Sequence, residues 1–116
     1  NIALMEQYIP KFRRILGTTQ VMPVPHVFNF GGFTDGDRCV FLAEEFMAKD
    51  IVLVGMLFDD IIGPYSKETI NNVKVKREKL QIAKNLLQVL AKNSKSNLFD
   101  TSKKPILGFK PFKIMP

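Results

Sequence analysis

The sequence has few of the side chains that build metal sites and disulfides. It contains one cysteine, Cys39, one histidine, His26, and no tryptophan. A single thiol cannot form an internal disulfide, which favours a reducing compartment. A structural zinc site takes about four nitrogen, sulfur or oxygen ligands, and two candidates in separate segments do not supply them. We therefore predict no metal site and no cofactor, and we expect Cys39 to be a small buried side chain on a helix.

Long apolar runs are also missing. The longest, over residues 51–58, is interrupted by Gly55 and is far shorter than the roughly 20 residues of a membrane-spanning helix. No signal-peptide pattern opens the chain, and its first residue is Asn1 rather than methionine. We predict a protein without membrane insertion, whose natural start is missing here. The 116 residues are enough for one modest core.

Positive charge is present in excess, but it is concentrated in one part of the chain. Residues 1–73 carry six basic and nine acidic side chains, whereas residues 74–116 carry eleven basic and two acidic ones. A C-terminal part this basic is typical of a protein that contacts a polyanion. A solvated surface that keeps the protein soluble is the alternative explanation.

The spacing of apolar residues predicts an α/β fold. The expected elements are a helix over 1–16 broken near Pro10 and ended by Gly17, a strand over 26–30, a helix over 38–49 capped by Thr34 or Asp35, an apolar strand over 51–58, a short capped helix over 66–70 and a helix over 78–92. Strand, helix and strand in this order predict a βαβ unit with a parallel pair. We expect a small sheet built around this unit, with flanking helices.

Residues 94–116 differ in composition from the rest of the chain. They contain three prolines, five lysines and isolated aromatic side chains, a mixture unsuited to a helix. We divide the chain into an α/β domain over 1–93 and an extended, basic, Pro/Phe-rich tail over 94–116. We predict that Phe99, Phe109 and Phe112 of this tail bind a partner.

No catalytic grouping stands out in the sequence. The loop 31–37 has three glycines between a strand and a helix, where phosphate-binding loops occur. It matches neither the dinucleotide fingerprint nor the P-loop, and Asp35 and Asp37 are expected to repel a phosphate there. Asp59 and Asp60 are expected to form a turn rather than a magnesium site. We therefore predict no catalytic residue, no small-molecule substrate and no enzymatic activity.

The order of elements over residues 29–70 resembles the ribosomal stalk-base protein family, the tenth protein of the large subunit. The features that carry the resemblance are the strand at 27–30, the helix at 38–49, the apolar strand at 51–55, the pair Ile61-Ile62 and the capped turn at 66–70. The family's first two strands would lie before Asn1 and be absent. The lysine and asparagine content and the tail favour a divergent, mitochondrial member.

This resemblance implies a structural constituent of the mitochondrial ribosome large subunit at the stalk base. Its expected partners are ribosomal RNA and neighbouring ribosomal proteins, contacted through phosphates rather than base edges. The predicted RNA-binding residues are Lys11, Arg13, Arg14, Lys74, Lys76, Arg77 and Lys79. The alternative is an accessory structural subunit of a mitochondrial respiratory or ATP-synthase complex, in which the tail wraps a protein neighbour.

Overall fold

The computed structural model describes residues 1–58 and 70–114, with side chains from residue 72 onward in the second range. It is an α/β structure, which confirms the predicted fold class. The elements in chain order are α1 Ile2–Tyr8, a 3-10 turn Ile9–Lys11, β1 Gly17–Thr18, β2 Val27–Phe28, α2 Asp35–Glu45, β3 Asp50–Leu53, α3 Ile70–Asn93, β4 Asn97–Asp100 and β5 Lys110–Pro111.

The strands form two small parallel sheets. β1 pairs with β2 in one sheet, and the other has the order β3-β4-β5. We expected the strand at 26–30 to pair with the strand at 51–58, but β2 and β3 lie in different sheets. The βαβ unit is instead formed by β3, α3 and β4, with Ile51 opposite Leu98 and Leu53 opposite Asp100. Successive strands are neighbours only about two-thirds of the time, so the pattern alone did not specify the pairing.

The hydrophobic core lies between the three-stranded sheet and the helices α2 and α3. On α3, the side chains of Ala83, Leu87 and Leu90 are buried, as the predicted apolar stripe required. The other buried members of the cluster are Val40, Ile51, Leu53, Leu98, Ile106 and Phe109. Three of these come from residues 97–111, so the last part of the described chain belongs to the core.

The segment that we expected to be an extended tail supplies two strands. β4 is the central strand of its sheet, and its second and fourth side chains, Leu98 and Asp100, are buried. Asp100 at its end is only 2% exposed, and its carboxylate accepts hydrogen bonds from the N–H groups of Ser102 at 2.8 Å and Ile106 at 3.0 Å. These contacts return the chain to the core, so residues 97–111 do not extend away from the domain.

The N-terminal prediction was correct about Pro10 and wrong about Gly17. Pro10 lies in the 3-10 turn that replaces the α-helix after Tyr8, because proline lacks the N–H that an α-helix interior needs. Gly17 begins β1 instead of ending a helix. The predicted turn at Asp59 and Asp60 and most of the short helix at 66–70 lie outside the described residues. In the described part of the chain, no helix has the length and apolarity to cross a membrane.

Candidate functional site: the glycine loop before α2

The loop between β2 and α2 lies directly against the first turns of the helix. Gly31 and Gly32 have φ of +105° and +85°, a conformation that side chains other than glycine rarely adopt. A Cβ on Gly32 would lie 2.7 Å from the backbone N and Cα of Arg38, and one on Gly31 would lie 2.5 Å from the ring of Phe41. Glycine is therefore required at both positions by conformation and by space.

Asp37 holds this loop in shape from inside. Its side chain is 0% exposed, and its carboxylate accepts the N–H groups of Phe33 at 2.6 Å and Thr34 at 2.7 Å. The Thr34 hydroxyl donates to the same carboxylate, and the two residues form a capping box at the N-terminus of α2. The hydrogen bonds of this carboxylate go to the loop's own donors, and the expectation that Asp37 repels a phosphate stays a prediction.

Asp35 and Arg38 lie on the outer side of the same turn. Asp35 is 96% exposed and forms a salt bridge with the Arg38 guanidinium. The Nε of Arg38 is buried and has no hydrogen-bond partner among the described residues. Thr34 is the N-cap residue of α2, as the sequence predicted for either Thr34 or Asp35. Asp35 is therefore a solvent-facing carboxylate that is paired with the Arg38 guanidinium.

A polar pocket of about 230 Å³ opens beside this turn. It is lined by Gln20, Phe33, Thr34, Asp35 and, from α3, Lys79. The first N–H groups of a helix have no intrahelical acceptor and carry a partial positive charge, which favours anions at this end. The pocket is thus lined by a lysine, a threonine, a glutamine and an aspartate at a helix N-terminus. Such a set can bind a phosphate, and the carboxylate oxygen is a ligand that Mg²⁺ prefers.

The seven residues predicted to bind RNA lie in two separate parts of the chain, residues 11–14 and the helix α3. Lys11 belongs to the 3-10 turn, where its ammonium lies 4.7 Å from the centre of the Tyr8 ring. Arg13 and Arg14 follow it and are exposed. Lys74, Lys76, Arg77 and Lys79 all lie on α3, and Lys79 is the member of this set that lines the polar pocket. Nothing in the described structure tests RNA binding by these residues.

The three phenylalanines predicted to bind a partner have different surroundings. Phe109 is 6% exposed and belongs to the core, so it is not available to a partner in this structure. The rings of Phe99 and Phe112 contact each other edge to face at 5.6 Å, and Phe112 is 42% exposed. Phe109 is buried because the chain turns back after Asp100, a long-range contact that the composition did not reveal.

The hydrogen bonds of Asp37 to the loop and the place of Gln20 in the pocket were not predicted. Asp37 follows Thr34 by three residues, and this spacing is the recognised signature of a capping box, so a signal was present. Gln20 has no such signal, because only the folded chain brings the connector before β2 to the pocket. Cys39, expected to be buried, is exposed.

Glu44, near the end of α2, links that helix to the turn after α3. Its carboxylate accepts hydrogen bonds from the Ser94 hydroxyl at 2.7 Å and the Lys95 N–H at 2.9 Å. Desolvation acts to raise the pKa of Glu44, but the hydrogen bonds from Ser94 and Lys95 outweigh it and hold that pKa below its usual range. The contact fixes α2 relative to β4, since β4 begins two residues after Lys95.

Comparison with known proteins identifies similar sequences of one kind. No protein-family model matches the chain, and no solved structure matches it. Three curated relatives are named 6-hydroxymethyl-7,8-dihydropterin pyrophosphokinase. The protein of Pyrococcus furiosus is 44% identical over 98 residues, 81% of this chain. Those of Methanothermobacter thermautotrophicus and Methanocaldococcus jannaschii are 42% and 40% identical, over 80% and 78% of this chain. The chain spans 42% of the length of each relative.

These relatives overturn the functional predictions made from the resemblance to the stalk-base family. The ribosomal role is wrong, and so are the expected partners, ribosomal RNA and ribosomal proteins. The alternative, a respiratory or ATP-synthase subunit, has no support. The relatives are named as an enzyme and come from archaea, which contradicts the expected lack of enzymatic activity, the lack of a small-molecule substrate and the mitochondrial location. The order of strands and helices misled us because many unrelated α/β proteins share it.

Proposed function

We propose that this chain is part of a pyrophosphokinase that acts on 6-hydroxymethyl-7,8-dihydropterin. The observation that carries the proposal is the 40–44% identity to three relatives with that name over about four-fifths of the chain. Because the chain spans 42% of their length, the proposal concerns the activity of a whole protein to which these residues contribute.

The proposed reaction transfers a diphosphoryl group from a nucleoside triphosphate to the pterin. The hydroxymethyl oxygen attacks the β-phosphorus, the bond between that phosphorus and the oxygen bridging to the α-phosphorus breaks, and a nucleoside monophosphate leaves. The hydroxyl proton passes to a base or to water. Catalysis of such transfers depends mainly on positioning and on cationic groups that offset the phosphate charge.

The glycine loop and its pocket are suited to the phosphate part of this reaction. Lys79 lines the same pocket as Thr34 and Asp35, and the N-terminus of α2 adds partial positive charge. Asp35 is exposed and paired with Arg38; in this proposal its carboxylate exchanges that partner for Mg²⁺ held together with substrate phosphates, an arrangement that this ion commonly takes. In this proposal Asp37 is a positioning residue, because its carboxylate binds the loop rather than the substrate.

The first experiment is an assay of the protein expressed from its complete gene. It is incubated with 6-hydroxymethyl-7,8-dihydropterin, a nucleoside triphosphate and Mg²⁺. The products are separated by chromatography and identified by mass spectrometry. We expect the diphosphorylated pterin and one nucleoside monophosphate per turnover. A folded protein that forms neither product with any common nucleoside triphosphate contradicts the proposal.

Replacing Lys79 tests the role of the pocket. We expect Lys79→Gln to lower kcat/KM by about 10- to 100-fold, the scale of losing one charged contact to a phosphate worth roughly 1.5–3 kcal/mol. Lys92→Gln is the matched control, because Lys92 is exposed in the last turn of the same helix. Equal activity of the two variants would mean that the pocket does not bind the phosphates.

A further inference from the structure

The connector before β2 is tied to the glycine loop by the side chain of Asn29. Its amide nitrogen donates to the carbonyl of Val21 at 3.1 Å, and its amide oxygen accepts the N–H of Gly31 at 3.0 Å. Because a carbonyl needs a donor and an N–H needs an acceptor, these two partners also define the orientation of the amide. Asn29 therefore links the segment that contains Gln20 to the loop that contains Phe33.

Gln20 lies between two residues of this connector whose backbone groups are hydrogen-bonded. The N–H of Thr19 donates to the carbonyl of Phe28 at 2.9 Å, next to the pairing of β1 with β2. On the other side, the carbonyl of Val21 is the acceptor for Asn29, and the N–H of Val21 donates to the Thr19 hydroxyl at 3.2 Å. The backbone on both sides of Gln20 is thus held by hydrogen bonds, so its place at the pocket is set by the fold.

Phe33 lines the same pocket from the glycine loop. Its N–H donates to the buried carboxylate of Asp37 at 2.6 Å, which holds the residue at the start of α2. The other three lining residues are those proposed above to bind phosphate and Mg²⁺. Phe33 and Gln20 differ from them in chemistry, because an aromatic ring stacks on planar rings and a glutamine amide offers a donor and an acceptor to the polar edge of a heterocycle.

The proposed reaction determines which planar ring lies beside a phosphate site. The hydroxymethyl oxygen is separated from the pterin ring by a single carbon atom, so the ring and the transferred group are neighbours when the reacting atoms are about 3–3.5 Å apart. The nucleobase is farther from the β-phosphorus, since the ribose and the α-phosphate lie between them. The pocket of about 230 Å³ is also smaller than the roughly 300–1,000 Å³ of sites for drug-sized ligands, which favours a bicyclic ring over a whole nucleotide.

We infer that Gln20 and Phe33 bind the pterin ring, and that Asn29 is the positioning residue that holds Gln20 in place. The Gln20 amide pairs with the edge of the pterin that carries the 2-amino and 4-oxo groups, and Phe33 stacks on the ring. This inference rests on the proposed function, because it gives one substrate of that reaction its place in the pocket. Gln20 is then a determinant of specificity, since a site that pairs with polar groups of a substrate rejects an analogue that lacks them.

The test compares variants of the protein expressed from its complete gene. Binding of 6-hydroxymethyl-7,8-dihydropterin and of the nucleoside triphosphate is measured separately by isothermal titration calorimetry, and turnover is measured with each substrate varied. A second substrate, 6-hydroxymethyl-7,8-dihydrolumazine, has an oxo group in place of the 2-amino group and reports whether that edge is recognised. The main variant is Gln20→Leu. Gln7→Leu is the matched control, because Gln7 is exposed on α1 and does not line the pocket.

We expect Gln20→Leu to raise the Kd and the KM for the pterin by about 10-fold, the scale of losing one or two hydrogen bonds, and to change the Kd for the triphosphate by less than about 2-fold. The unsubstituted protein should have a higher kcat/KM for the pterin than for the lumazine, and Gln20→Leu should lose most of that preference. Gln20 is exposed, so the variant should fold, and circular dichroism checks this.

Asn29→Asp tests the positioning role. Aspartate keeps an acceptor for the Gly31 N–H and loses the donor to the Val21 carbonyl, so the glycine loop keeps its contact while the connector is released. We expect the Kd for the pterin to rise by about 3-fold, with a reduced preference for the pterin over the lumazine. A merely structural role would lower stability without changing that preference, and an unchanged preference would overturn the role assigned to Asn29.

The remaining outcomes separate this inference from the proposed function. If Gln20→Leu and Gln7→Leu bind and convert the pterin equally well, the inference is overturned and the proposed function stands. If Gln20→Leu weakens binding of the triphosphate instead of the pterin, the pocket holds the nucleotide, which also overturns the inference. A folded, unsubstituted protein that neither binds nor converts the pterin would contradict the proposed function itself.

Discussion

The first 28 residues and the region from α2 to β5 have similar local patterns and very different surroundings. Both contain helices with apolar residues at helical spacing. On α3 that spacing produces buried side chains, with Ala83 and Leu87 at 0% exposure, whereas on α1 it produces Ile2 at 75% and Leu4 at 56%. The comparison teaches that an apolar stripe predicts a helix and which of its faces is apolar. Whether that face is buried depends on which other elements pack against it.

Truncation of one leucine in each region gives the largest expected contrast. Leu87→Ala should lower the free energy of unfolding by about 4 kcal/mol, because it removes fully buried methyl groups and leaves a cavity. Leu4→Ala, the matched change on α1, should cost less than about 1 kcal/mol in the 116-residue chain. Urea unfolding followed by circular dichroism measures both. Equal costs would show that α1 packs as tightly as α3.

The glycine loop allows a second contrast between a buried and an exposed side chain, because Asp37 and Asp35 are two residues apart. Asp37→Ala should destabilise the protein by about 2 kcal/mol, since it empties a fully buried site and leaves the part-buried N–H groups of Phe33 and Thr34 without their acceptor. Asp35→Ala should change stability by less than about 0.5 kcal/mol, because Asp35 is almost fully exposed. Thermal unfolding of the two variants checks this difference. A stable Asp37→Ala protein would mean that the loop does not depend on this carboxylate.

Two glycines with positive φ allow the cost of an unfavourable backbone conformation to be measured separately from the cost of a steric collision. Gly32→Ala should cost about 2 kcal/mol, because φ is +85° and the added Cβ would collide with the Arg38 backbone. Gly55→Ala is the control, since φ is +70° there but no described residue lies within 4 Å of the Cβ position. We expect about half the cost at Gly55, measured by the denaturant midpoint. The reverse order would contradict the close approach of the loop to α2.

Acid titration of Glu44 gives the smallest expected effect. The pKa of Glu44 is held down in the folded state, so its contribution to stability is present above the unfolded pKa of about 4.3 and is lost as the pH falls through the folded value. On acidification below about pH 4.3, the free energy of unfolding should therefore fall less for Glu44→Gln than for the unsubstituted protein. The difference between the two decreases should be under roughly 1 kcal/mol. Glu45→Gln is the control, because Glu45 is exposed. Identical acid profiles for all three proteins would contradict the role of the contacts with Ser94 and Lys95.

Local sequence signals predicted much of the secondary structure of this protein. The apolar stripe that contains Ala83 and Leu87, the capping residue Thr34 and the break at Pro10 were read correctly. Each of these features depends on residues within one or two helical turns of each other. The glycines of the loop 31–37 were noticed as well, but the hydrogen bonds of Asp37 to Phe33 and Thr34 were not predicted.

Tertiary structure decided the features that join distant residues. Sequence alone determined an α/β protein with a basic C-terminal part and a capped helix after a glycine loop. Only the folded chain paired β3 with β4, buried Phe109 and brought Gln20 and Lys79 to the same pocket. The physical reason is that local patterns report conformational preference and apolarity, whereas strand partners and pockets depend on contacts between residues dozens of positions apart.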